Sequence, residues 1–427
     1  MNWVKEMWII GFALFSMFFG AGNVIFPPYI GYNSGSQWQL SFVCYYMADI
    51  GLGLVAIWAM LKCGSDIDGI TRRIGAAPAK LLSLVIMLCI GPLIAIPRTA
   101  ATTYELSILP LTNGVNPQIF SVIFFSLVLM LCIKESSVLD IVGKFLTPVL
   151  FISLIAIGIK SFVTPLGEIV TMSKTNQVIS EGIMAGYQTM DVLASLLFGV
   201  IILKTLEEKG YTDMVSRNKI IGGAGIITGI GLFLVYGGLA HLGATTSTIF
   251  PPEISRVNLV TESVTMLFGN FGIMLLCVMV ALACLTTAIG LTSSAGAYIS
   301  KITNEKISYK AVVIAISVFS AIISTMGVDA IVDYAALILT IVYAPAVTLI
   351  ILTVYGKHIK NDNIFKGGAL AAFIVSILAL ALKHGIGSFE FINMFPLSNI
   401  DLGWIVPAIV GCILGSFIKP PVEEEIE

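Results

Sequence analysis

The sequence predicts an all-α integral membrane protein of about 12 transmembrane helices, and three observations predict it. The first is composition. Of 427 residues, 57% are hydrophobic and 11% charged, and the mean hydropathy is +0.98; soluble domains carry about 25% charged residues. The second is the recurrence of apolar runs long enough for a bilayer core about 30 Å thick, which takes about 20 helical residues. The third is the placement of Lys and Arg, which alternates from one connector to the next.

The runs lie at 7–30, 39–61, 79–108, 117–133, 140–161, 186–205, 219–243, 265–299, 311–327, 331–355, 367–383 and 403–418. Short polar connectors separate them, the longest at about 161–186, and no soluble domain fits in the gaps. The first run follows Met1–Glu6 without a small-residue cleavage site, and it reads as a retained membrane helix, not a signal peptide. Placing the N-terminus and every even-to-odd connector on one side gathers nearly all of the 23 Lys and Arg there. The exceptions are Lys160, Lys174, Arg256 and Lys383 on the other side and Arg98 within a span. Both termini are therefore expected in the cytoplasm.

A net charge of −2 points to no nucleic acid. The carboxylates in Glu423–Glu427 read as a solvated tail. Cys44, Cys63, Cys89, Cys132, Cys277, Cys284 and Cys412 show no CxxC spacing and read as small hydrophobes. His241, His358 and His384 lie near the ends of runs. An intramembrane enzyme would need HExxH, GxSxG with a histidine, or a clustered His or Asp pair, and none is read in the apolar runs. A channel filter would appear as repeated polar loops.

Two runs are interrupted. In the first, Gly20-Ala21-Gly22-Asn23 meets Pro27 and Pro28, which weakens the helix midway. An unwound segment in lipid must line a cavity, because freed backbone groups need partners; close helix packing at small residues is the other reading. In the sixth, Gly186-Tyr187-Gln188-Thr189-Met190-Asp191 brings a carboxylate beside a span, as a functional acid or as a helix cap. These two runs each begin a group of five, and paired interrupted segments in two halves point to a transporter site. Five is odd, so the halves are expected to be inverted repeats: 1–162, then 163–355, followed by 356–427.

Other polar residues have several readings. Arg98 needs a partner, with Glu105 and Asp49 in reach as ion-pair candidates, or it gates. Asp329 and Asp333 read as external and solvated, or as part of an outer gate, and Glu262 suits a helix dipole. Thr286 and Thr287 lie mid-span. With carbonyls from Ser16 and Phe19, three residues apart before the first break, and from Ala283, they form a neutral oxygen cage that suits sodium. Alternatively they return their hydroxyls to their own helix, or Thr292 and Ser293 are the ligands.

The motifs Phe19-Gly20-Ala21-Gly22-Asn23-Val24-Ile25-Phe26-Pro27-Pro28, Gly91-Pro92-Leu93-Ile94-Ala95-Ile96-Pro97-Arg98-Thr99-Ala100, Tyr187-Gln188-Thr189-Met190-Asp191 and Leu285-Thr286-Thr287-Ala288 resemble the branched-chain amino acid:cation symporter family. They keep the family's order, and hydropathy extends the match over the whole chain. The resemblance implies a LeuT-like fold with two added C-terminal helices. It implies uptake of leucine, isoleucine and valine with sodium, or with protons in some members, across a bacterial plasma membrane, with no obligate protein partner evident. It also implies a substrate site at Gly20, Ala21, Gly22, Asn23, Tyr104, Gln188, Thr189 and Asp191. The amides at 20–22 would take the carboxylate, and the sixth run would take the amine. By motif position it implies sodium at Ser16, Phe19, Ala283, Thr286 and Thr287. A transporter for a different small amino acid is the alternative.

Overall fold

The computed structural model describes residues 3–64, 68–112, 114–133, 138–171, 173–387 and 389–419, with the backbone alone over 138–150. The predicted acidic tail lies outside the described residues. Helices follow one another along the chain: α1 (Trp3–Phe18), α2 (Ala21–Ser34), α3 (Trp38–Tyr46), α4 (Leu52–Cys63), α5 (Asp68–Thr71), α6 (Ala76–Leu88), α7 (Ala95–Thr103), α8 (Pro117–Ile133) and α9 (Val138–Val163). They continue with α10 (Val178–Thr189), α11 (Asp191–Glu208), α12 (Met214–Thr245), α13 (Arg256–Ile302), α14 (Tyr309–Ser324), α15 (Val328–Val354), α16 (Asn363–Lys383) and α17 (Ile405–Phe417). Among the described residues there is no strand.

Among the described residues, seven helical stretches are long and apolar enough to cross a membrane: Ala21–Cys63, Ala76–Leu111, Val178–Glu208, Met214–Thr245, Arg256–Ile302, Val328–Val354 and Asn363–Lys383. Pro117–Ile133, Phe151–Val163, Tyr309–Ser324 and Ile405–Phe417 are shorter apolar helices. Side chains set where several helices begin. Asp213, Ser255 and Ser308 accept from the backbone N–H of Ser216, Asn258 and Ala311, satisfying donors that a first turn leaves open.

The helix expected over 265–299 begins earlier, at Arg256, and turns at Gly269. With φ 61 and ψ −154 that residue has a backbone open to glycine, and the helix resumes beyond it. Among the described residues, three π-helical turns interrupt other spans, at Met47–Gly51, Cys89–Leu93 and Tyr104–Ile108. Each adds a residue to a turn and re-aims the helix beyond it.

Contacts divide the chain into two compact units. The first holds Met1–Gly51, Met87–Asp191 and Asp213–Ala336. Within it α2 and α12 touch backbone to backbone: a Cβ on Gly243 would fall 1.8 Å from the Pro28 carbonyl oxygen, and one on Gly31 would fall 1.9 Å from that of Ala240. Such close approach is how helices associate where lipid offers no hydrophobic drive. Thr228 adds a hydrogen bond to the Gly11 carbonyl, 2.8 Å, that fixes α1 on α12. Around this pair pack α3, α9, α10 and α13. Near a surface of the unit, Arg256 pairs with Asp329 at 2.6 Å and Asp333 at 3.4 Å, so these two acids are held in an ion-pair cluster.

The second unit holds Leu52–Ile86, Val192–Thr212 and Leu337–Glu427. In it α16 packs along α17, and Asn361 donates to the Gly415 and Ile418 carbonyls at the end of α17. Arg73 pairs with Asp362, donates to the Ile359 carbonyl and lies 3.9 Å over the Phe365 ring.

Candidate substrate and ion site

The first predicted interruption is a break in the backbone. Helix α1 ends at Phe18 and α2 starts at Ala21, with Gly20 extended at φ −117 and ψ −172. No side chain caps the new helix. Its leading amides lack intrahelical acceptors and carry the positive end of the α2 dipole. A Cβ built on Gly20 would meet nothing within 4 Å, so space is open at the break. Further along, Pro27 and Pro28 remove the N–H groups that would have bonded the carbonyls one turn back.

The second interruption falls at Met190, whose φ of 70 places it in the left-handed region between α10 and α11. For a non-glycine residue that conformation costs free energy and marks a constrained position. Arg98, 4% exposed, faces this break. Its Nη1 donates to the Gln188 carbonyl and its Nη2 to the Thr189 carbonyl, 2.9 Å. The same Nη2 would lie 3.1 Å from a Cβ on Gly22. One guanidinium thus joins both breaks. These two hydrogen bonds from Arg98 go to carbonyls, while Glu105 accepts from the Val328 N–H at 2.8 Å and caps the start of α15.

Between the breaks lies a buried polar cluster. The Asn23 amide nitrogen lies 2.7 Å from Asp191 Oδ2, 2.6 Å from Tyr236 Oη and 3.4 Å from Asp49 Oδ2. Thr189 donates to Asp49 Oδ1 at 2.8 Å. Asn23, Asp49, Thr189 and Asp191 are all buried. Asp49 reaches the cluster because the π-helical turn Met47–Gly51 carries it. The structure therefore brings together Asn23, Thr189, Asp191, the Gln188 carbonyl and the Gly20–Gly22 break. Tyr104 lies elsewhere: its hydroxyl donates to the Val115 carbonyl, and it lines a cavity of about 620 Å³ with Glu105, Asn258, Glu262 and Thr325.

The sequence marks Asp49 only as a candidate partner of Arg98, and it does not mark Tyr236. Their signal in the sequence is weak, a polar group within an apolar run, since the partners lie far along the chain.

At the predicted ion residues, Thr286 donates to the carbonyls of Leu282 and Ala283 in its own helix. Phe19 stacks on Phe15 and tilts against Tyr236. Among the described residues no hydrogen bond or ring contact joins Ala283, Thr286 or Thr287 to Ser16 or Phe19. Thr292 Oγ1 is buried without a hydrogen-bond partner, and Ser293 donates to Cys132 Sγ.

The family described as "Branched-chain amino acid transport protein" matches residues 3–421. The chain belongs to that family. Among the family's proteins, the branched-chain amino acid permease BraB of Bacillus subtilis (strain 168) is 35% identical over 423 residues, covering 96% of this chain and 95% of its own. A putative branched-chain amino acid carrier protein of Staphylococcus aureus (strain USA300) is 34% identical over 439 residues, covering 97% and 98%. Solved structures agree in fold. Mhp1, a nucleobase-cation-symport-1 family transporter, matches with TM-score 0.64 at 14% identity over 95% of this chain and 91% of that one. MhsT in complex with L-phenylalanine matches with TM-score 0.58 at 16% identity over 95% and 97%. A Na+-coupled sialic acid symporter matches with TM-score 0.61 at 13% identity over 97% and 90%. The fold is LeuT-like, and this family member is a multi-pass membrane transporter, not an enzyme.

Proposed function

We propose that the protein is a secondary active symporter that imports leucine, isoleucine and valine with sodium by alternating access. The observation that carries this reading is the uncapped restart of α2 at Ala21 beside open space at Gly20. Free amides at a positive helix end suit a carboxylate, and the neighbouring Arg98 adds a fixed cation. The ammonium takes acceptors from Gln188, Thr189 and Asp191. Arg98 already uses the carbonyls of Gln188 and Thr189, but each has a second lone pair. Tyr104 closes the route from outside. One methylene is worth about 1–3 kcal/mol, so an apolar pocket favours the branched class without strongly ranking its members.

Sodium binds the carbonyls of Ser16, Phe19 and Ala283 with the hydroxyls of Thr286 and Thr287. Donating to its own helix uses the Thr286 proton and leaves its oxygen lone pairs for a cation. The matched breaks at Gly20 and Met190 support inverted repeats over 1–162 and 163–355, with 356–427 added and about 12 spans in all. The membrane is the bacterial plasma membrane, with both termini cytoplasmic.

The test is radiolabelled leucine uptake into liposomes holding the purified protein, with and without a sodium gradient. Accumulation that needs the sodium gradient is expected. Uptake driven by a pH gradient alone would overturn sodium coupling, and no uptake of any branched-chain amino acid would overturn the substrate. A proton-coupled carrier, or one for a different small amino acid, is the second reading; the two buried carboxylates favour the proton.

A further inference from the structure

The cluster formed by Asn23, Asp49, Thr189, Asp191 and Tyr236 has more acid than its surroundings balance. Asp49 is 0% exposed and Asp191 7%. Both reach the same Asn23 amide nitrogen. That nitrogen has two protons and three neighbouring oxygens, because Tyr236 Oη also lies at 2.6 Å. Around the pair, α3 presents Tyr45 and Tyr46, α7 presents Arg98, α10 presents Thr189, and α12 presents Tyr236. Arg98 is the charged side chain facing both carboxylates. Among the described side chains named here, two acids face one guanidinium, so with both acids ionised negative charge exceeds positive by one. Burying such a charge unpaired is costly.

A second observation concerns Tyr45. Its hydroxyl is buried beside Asp49, its ring sits edge-on to Tyr236 at 6.0 Å, and it has no hydrogen-bond partner of normal geometry. It is a buried polar group aimed at Asp49.

We propose that Asp49 and Asp191 together bind one proton, carried by one or the other carboxylate of the pair, as a protonation site separate from the site proposed for sodium. A proton fits better than a metal cation because the group between the acids is an N–H donor, which repels a cation. Asp191 and Asp49 each already accept from a hydrogen-bond donor, at 2.7 and 2.8 Å. The bound proton comes from water and returns to it, so the exchange is a simple acid–base equilibrium. Its place matters because Asn23 belongs to the helix that starts at the first break and Asp191 follows the second. Charging the pair pushes Asp49 and Asp191 apart, and with them the helices that carry the breaks. The inference does not depend on which cation drives uptake.

Infrared difference spectroscopy on the purified, substrate-free protein tests it. At neutral pH the wild type should show one protonated carboxylic acid band that shifts in heavy water. Asp49→Asn and Asp191→Asn should each abolish it, because the remaining acid is then balanced by Arg98. Thr189→Val, which removes a donor to Asp49 but no charge, should move the band and keep it. Each variant is first checked for a wild-type melting profile. Absence of the band in the wild type overturns the proposal whether or not the variants fold. Survival of the band in a folded Asp49→Asn or Asp191→Asn protein, or a band indifferent to Thr189→Val, also overturns it, since the proton then sits elsewhere. Loss of the band when sodium is added to sodium-free protein overturns it in favour of a metal-cation site.

Discussion

Arg98 donates to the carbonyl of Thr189, 2.9 Å, at the turn where the chain leaves its helix for the left-handed Met190. Without the guanidinium, two carbonyls inside the protein lose their donors. Charge-assisted hydrogen bonds contribute about 1.5–3 kcal/mol each. Arg98→Ala is expected to destabilise the protein by about 3–6 kcal/mol on that basis. Arg98→Lys keeps the charge but has no planar fork to span both carbonyls, and it should lose about half as much. Thermal unfolding in detergent reads both effects; equal stability of all three proteins would show that the contacts carry no weight.

Gly20 is the position where added bulk tests for a ligand. An alanine there fits both the extended backbone and the open space, so stability should stay at the wild-type level. If a substrate carboxylate approaches those amides, the methyl stands in its way. Leucine affinity should fall about tenfold or more, a loss of about 1.4 kcal/mol. Gly22→Leu should lose binding altogether, since its side chain meets Arg98 and Phe26. Equilibrium binding on purified protein distinguishes the outcomes, and normal leucine affinity in both variants removes the carboxylate from this break.

Thr286→Val and Thr287→Val keep size and delete one oxygen each. Both should raise the sodium concentration needed for half-maximal uptake, with leucine affinity at saturating sodium less affected. The Thr286 variant loses only bonds back to its own helix, so its fold should be unchanged. Sodium titrations of uptake that overlay the wild type in both variants would rule out these hydroxyls as ligands.

Tyr104→Phe removes the hydrogen bond to the Val115 carbonyl at the rim of the Glu105 and Glu262 cavity. Stability should fall by about 0.5–1.5 kcal/mol. Leucine affinity should fall less than in Gly20→Ala, because Tyr104 closes the outer route without holding the carboxylate. A loss of uptake that tracks the loss of melting temperature would make its role packing alone.

The break at Gly20 was readable because its causes are local: two glycines, an asparagine and two prolines alter the backbone where they stand. The break at Met190 falls in the Tyr187–Asp191 motif, yet no local rule makes a methionine left-handed; the surrounding contacts impose it. Gly269 behaves similarly, as one glycine among many in apolar helices. The membership of the polar cluster was least readable. Asn23 meets Asp191 across 168 positions and Tyr236 across 213, and such pairs arise from how the helices pack. Asp49 also depends on an added residue in the Met47–Gly51 turn, which hydropathy does not register.

The same separations order events while the protein is being made. Asp49 enters the bilayer with the second apolar run, but Thr189, which donates to it, comes 140 residues later. At about 5–20 residues per second that delay is about 7–28 s. A charged aspartate at the centre of a lone helix costs about 2.5–3.5 kcal/mol. The partner already synthesised is Asn23, 26 positions upstream. During biogenesis Asp49 therefore depends on that one amide, or on a protonated acid, until the third run brings Arg98. Shortened chains ending before α7 should insert their second run inefficiently and fall to membrane quality control.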